Sequence, residues 1–97
     1  MLAFGSDWPV VPFDPFIALH SGVSRTTSDG RPTDGSVPHE RLPLPDALRA
    51  YTWGSAYAGG AEGWRGCLEP GALADLIVVD RDLLAEGRAP SWAPEPC

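Results

Sequence analysis

Lysine is missing from this 97-residue chain: its seven basic residues are all arginines, set against thirteen carboxylates for a net charge of −6. With a sequence pI near 4.6 and no basic cluster, the chain is expected to bind no nucleic acid, because phosphate backbones are held through basic patches. Long apolar runs are absent too, and crossing a bilayer as a helix takes about 20 such residues. No membrane association is expected, and the N-terminus shows no basic flank or cleavage signature of a secretion signal. Cysteine is scarce: Cys67 and Cys97 alone, with no metal-like or redox-like spacing. Free thiols in a reducing cytoplasm are the simplest expectation. Histidine is limited to His20 and His39.

What is abundant is glycine and proline, eleven of each, beside 43% hydrophobic residues. The apolar content predicts a globular chain, and the Gly/Pro content predicts long irregular stretches.

The chain opens on "LAFGSDWPV". Leu2, Ala3 and Phe4 read as the end of a buried strand closed by Gly5 and Ser6. Asp7 then falls at the strand's C-terminal end, where parallel α/β folds gather their chemistry. The competing reading is an aspartate that caps a turn, which its Gly, Ser and Pro neighbours favour. Next, "DPFIALHSGVSR" carries a helix start, with Asp14 as cap and Pro15 at the first helical position. Phe16, Leu19 and Val23 share a face, and Gly22 weakens the helix without forbidding it. His20 shares that face and reads as a packed residue rather than a ligand.

Residues 26–43 hold two Asp-Gly pairs and three prolines, the composition of a loop. A loop of that length is either functional or poorly ordered. His39 and Glu40 lie in it side by side, a pattern with no fixed ligand geometry. "PLPDALRAYTWGSAYAGG" predicts a helix begun by Pro45 and Asp46, with Leu48, Tyr51, Ser55 and Ala58 on one face and Gly59-Gly60 as the stop. Gly54, Ala56 and Ala58 point to a close neighbour. "RGCLEPGALADLIVVDRD" predicts a hairpin: a strand ending at Cys67-Leu68, a tight turn over Glu69-Pro70-Gly71-Ala72, and an apolar strand from Leu76 to Val79. Both faces of that strand should be covered. From Glu86 the proline-rich tail continues no element.

In order along the chain, "FGSDWPV", "SGVSR", "ALRAYTWGSAYA" and "GCLEPGALADLIVVD" resemble the C-terminal end of the amidohydrolase superfamily. The similarity is to amidohydrolase family 3, the branch of the N-substituted formamide deformylases, and runs over about residues 2–83. One departure is Ala72, where that family has lysine after Pro-Gly.

The resemblance implies an α/β fold: the C-terminal piece of a metal-dependent hydrolase (β/α)8 barrel plus part of a small composite β-domain. Residues 1–60 would be the last strand and following helices of the barrel. Residues 61–97 would be the C-terminal part of the β-domain and a Pro-rich tail. It further implies hydrolysis of non-peptide carbon–nitrogen bonds in a small-molecule amide or formamide, with one or two divalent metals, usually zinc. Asp7 would be the aspartate after the eighth strand, both metal ligand and catalytic proton acceptor. The His-x-His pair, the bridging group and the further histidines of the family have no counterpart here. The chain is therefore expected to be a fragment, inactive alone and completed by an N-terminal barrel segment as partner. The alternatives are a non-catalytic interaction module and a decayed gene product.

Overall fold

In the computed structural model of the chain, residues 1–86 are described. The first helix, α1 (Pro15–Ser24), forms where the sequence places it. Asp14 caps it, its Oδ1 accepting the Phe16 N–H at 2.9 Å, and Pro15 occupies the first turn, where a missing N–H costs nothing. Of its predicted apolar face, Leu19 is buried and Phe16 and Val23 are half-buried.

The second helical segment is α2 (Leu44–Arg49), which runs through a widened π turn (Ala50–Gly54) into α3 (Ser55–Ala58). Gly59 and Gly60 end it. Its buried face is Leu44, Ala47, Ala50, Gly54 and Ala56, not the expected stripe of Leu48, Tyr51, Ser55 and Ala58, of which Ala58 is exposed. The π turn takes up one extra residue and rotates the phase of everything after it. Small side chains on the buried face also let other segments approach closely, so close packing rather than residue size selects that face.

Helix α1 packs against α2, and the connecting loop is tied to the C-terminal end of α1. The Leu42 N–H reaches the Gly22 carbonyl at 3.1 Å, Arg25 and Ser36 exchange backbone and side-chain bonds, and Arg41 donates to the carbonyls of Ser24 and Asp34. The loop is therefore ordered by hydrogen bonds and contains one short 3-10 turn, Pro38–Glu40. A four-residue helix, α4 (Leu83–Glu86), follows near the end of the described residues.

No β-strand forms among the described residues, which corrects three expectations. Leu2–Phe4 forms no strand and bonds to a helix instead of a sheet. Cys67-Leu68 and Leu76–Val79 are irregular, with Leu76, Ile77 and Val78 exposed by 56, 72 and 91%. The α/β barrel and the β-domain are thus not visible as sheets in this chain. The reason is physical: a strand is stabilised by its cross-strand neighbours, and a single one without them does not persist. The tight turn does form, with the Ala72 N–H donating to the Glu69 carbonyl at 3.0 Å. Gly66 holds φ of +91°, and a Cβ there would lie 2.8 Å from the Ala56 Cβ and 2.9 Å from the Trp53 Cα, so the chain passes over α3 only because this residue is glycine. Arg65 lies over the Trp64 ring and pairs with Asp75 at 3.1 Å, closing this loop. The tail beyond residue 86, with Cys97, lies outside the described residues.

Candidate functional site

The candidate site is built from the opening segment and the helix it crosses. The Phe4 N–H donates to the Ala50 carbonyl at 3.0 Å, and the Phe4 carbonyl accepts from the Ser55 hydroxyl at 2.6 Å. Both main-chain groups of one residue are therefore engaged by the π turn and the first residue of α3. Ser55 Oγ also lies 3.0 Å from the Ala50 carbonyl. The Phe4 ring meets Tyr51 edge to face at 5.3 Å between centroids and lies along α1 at Gly22. At Gly54 a Cβ would collide with the Leu2 carbonyl, so the crossing requires a residue without a side chain. Burial against this contact raises the Tyr51 hydroxyl above its ordinary value near 10, since desolvation disfavours the phenolate.

Three residues beyond this anchor comes Asp7, exposed and in the left-handed region at φ of +51°. Its carbonyl accepts the Val10 N–H at 2.9 Å, closing a turn over residues 7–10. The turn is held by the backbone, so the carboxylate is not its cap. Aspartate tolerates this backbone region better than most residues, yet a positive φ outside glycine still marks a constrained position. No hydrogen bond or ion pair is formed by the Asp7 carboxylate among the described residues. Trp8, Val10 and Phe13 follow it in sequence with 68, 75 and 76% of their surface open.

The other sequence candidates are placed elsewhere. His20 Nε2 lies 3.0 Å from the Thr26 hydroxyl, within a cluster in which Ser24 Oγ bonds both Thr26 Oγ1 and the His20 carbonyl. His39 sits on the loop, 3.9 Å from the Glu40 carboxylate, with both side chains exposed. Among the described residues no group of three His, Cys, Asp or Glu side chains is gathered as a metal would require. Cys67 is a free thiol. A shallow cleft of about 290 Å³ opens beside the N-terminus, bounded by Met1, Leu2, Leu42, Asp46, Arg49 and Trp53, and Asp7 does not line it.

Sequence reasoning anticipated Gly54 and Ala56 as points of close approach, and it singled out Asp7, which the structure places in an exposed turn with no ligand-forming neighbours gathered around it among the described residues. It missed Ser55 as a partner of the opening segment. The one available signal was the Gly-Ser pair in mid-helix, two residues of modest helix propensity where a helix surface would favour stronger formers.

Residues 1–89 match the family model of the amidohydrolase family. The chain belongs to that family. It is similar to the protein LONG AFTER FAR-RED 3 of Arabidopsis thaliana, 35% identical over 79 residues that make up 81% of this chain and 13% of that protein. It is also similar to the N-substituted formamide deformylase of Arthrobacter pascens, 35% identical over 81 residues covering 84% of this chain and 14% of the other. Among solved structures it resembles an uncharacterized metal-dependent hydrolase from Pyrococcus horikoshii OT3, with a TM-score of 0.70 and 35% identity over 84% of this chain and 16% of that one. The amidohydrolase chain thus spans between 13 and 16% of the length of these relatives. No helix among its described residues is long and apolar enough to cross a membrane.

Proposed function

We propose that this chain is the C-terminal portion of a metal-dependent amidohydrolase that cleaves non-peptide carbon–nitrogen bonds in small amides or formamides, with Asp7 as its contribution to the reaction centre. In this reading residues 1–60 supply the end of the barrel and residues 61–97 part of the composite β-domain, and a complementary barrel segment provides everything else. The observation that carries it is the bare Asp7 carboxylate, held at the end of an anchored segment in a chain of this family. Family membership and the names of its relatives support the reaction class; a metal-dependent hydrolase as structural neighbour supports a divalent ion, and zinc is the proposed identity.

Asp7 suits one position in such a centre and no more. Its carboxylate is a hard anionic donor with no competing partner, but a divalent metal of this kind takes three or four protein ligands. The remaining donors must come from outside the described residues. When bound, the metal would lower the pKa of an attacking water toward 7. Asp7 itself would accept the proton from that water on a carboxylate oxygen and pass it to the leaving nitrogen, the work of a general base and then acid. Trp8, Val10 and Phe13 would exclude water and face an apolar N-substituent.

The test is to join or co-express the chain with the barrel portion of an amidohydrolase from which the equivalent C-terminal piece has been deleted. Turnover of an N-substituted formamide should appear, be lost to a chelator, and return with added divalent metal. A complex that forms but never turns over any amide would favour the interaction-module alternative.

A further inference from the structure

We infer that Ser55 is the positioning residue for Asp7: from the start of α3, directly after the π turn, its hydroxyl sets the register in which the opening segment delivers that carboxylate. The inference rests on the proposed role of Asp7 and adds the device that places it. A serine inside a helix ordinarily bonds back to a carbonyl one turn earlier. Ser55 does so only at 3.0 Å to Ala50 and reaches outward at 2.6 Å to Phe4, 51 positions away in sequence. One hydroxyl proton serves two acceptors, and the shorter separation marks the Phe4 carbonyl as its main partner.

The surroundings make this contact decisive for register. The opening segment has no sheet to align it, and among the described residues the only backbone bond from residues 2–6 to another element is Phe4 N–H to Ala50. That single bond leaves the segment free to pivot about Phe4. The Ser55 hydroxyl supplies the second point, Gly54 allows the Leu2 backbone to lie flat on the helix, and the Phe4 ring fills the space between Tyr51 and Gly22. Two polar points and one ring define both position and direction. Asp7 lies only three residues further on, so a slip at Phe4 moves the carboxylate with it, and displacements near 1 Å at a reaction centre cost rates substantially. Widened helical turns are found disproportionately at functional sites; here the turn offers the Ala50 carbonyl, and the residue that follows it the Ser55 hydroxyl, to the same residue of the opening segment.

The test uses Ser55→Ala and Ser55→Thr in two settings. In the chain itself, kept cold with an excluded osmolyte, amide exchange is read at Phe4 and, as a reference, at Leu19 and Ala47. Ser55→Ala should speed exchange at Phe4 about fivefold or more while the reference amides stay within twofold, and Ser55→Thr, which keeps the hydroxyl, should restore protection. Unchanged exchange at Phe4, an equal rise at all three amides, or threonine behaving like alanine would overturn the inference. In the reconstituted enzyme Ser55→Ala should lower kcat about tenfold with KM unaltered, and should cost nothing further once Asp7→Asn is in place. Additive losses would show that Ser55 does not act through Asp7. If Asp7→Asn alone left turnover intact, the proposed function would fall while the exchange result at Phe4 stood.

Discussion

Replacing Asp7 by asparagine separates chemistry from shape with little ambiguity. Asp7 sits at φ of +51°, a region that asparagine visits as readily as aspartate, whereas alanine would add about 1–2 kcal/mol of backbone strain. The turn is closed by its carbonyl and the Val10 N–H, a bond that both variants retain. Its carboxylate has no partner to lose among the described residues. Asp7→Asn should therefore change the stability of the chain by no more than a few tenths of a kcal/mol, the size expected of an exposed side chain without partners. What it removes is the anionic oxygen and the proton acceptor. Loss of a general base costs about a hundredfold in rate or more, equivalent to roughly 2.7 kcal/mol of barrier. The assay is turnover of an N-substituted formamide by the reconstituted enzyme, with bound metal counted in parallel and denaturant unfolding of the isolated chain as the control. Near-normal turnover with undiminished metal would remove Asp7 from the mechanism. A large loss of stability in the isolated Asn variant would show that the carboxylate has a structural role the geometry does not reveal.

Gly66→Ala should cost the chain about 2–4 kcal/mol, combining a left-handed backbone with a forced contact against Trp53 and Ala56, and chemical denaturation followed by circular dichroism should show it; a midpoint unchanged from the parent would contradict the close crossing. The raised Tyr51 hydroxyl means that the folded chain holds that proton longer than the unfolded one, so its contribution to stability is full below about pH 10 and is lost as pH rises through the folded value. Tyr51→Phe should flatten this alkaline decline, and an equally steep decline in the variant would place the cause elsewhere. The isolated chain, dialysed against zinc and then against buffer, should retain no stoichiometric metal by elemental analysis, because a single carboxylate cannot satisfy the ion; one tightly held zinc per chain would reveal a ligand set beyond the described residues.

Local signals were legible in the amino-acid order wherever a few neighbouring residues decide the outcome. Asp14-Pro15 started α1, Gly59-Gly60 stopped the long helix, and Glu69-Pro70-Gly71-Ala72 made its turn, since caps and turns depend on hydrogen bonds within four residues. The order of Gly-Ser-Asp, the Ala/Thr helix and the Pro-Gly segment also carried the family, and with it Asp7 as the residue to watch. Tertiary structure decided what depends on partners distant in sequence. Leu76–Val79 has the composition of a strand and remains uncovered, because pairing is a property of the neighbour as much as of the run. The buried face of the second helix runs through Leu44 and Ala47 rather than Leu48, and beyond that point a π turn shifted the phase so that Ala56 and not Ala58 is buried; no period in the sequence announces that shift. The link between Ser55 and Phe4 arises only when the opening segment lies across the helix, which is why that contact could be found in space and not along the chain.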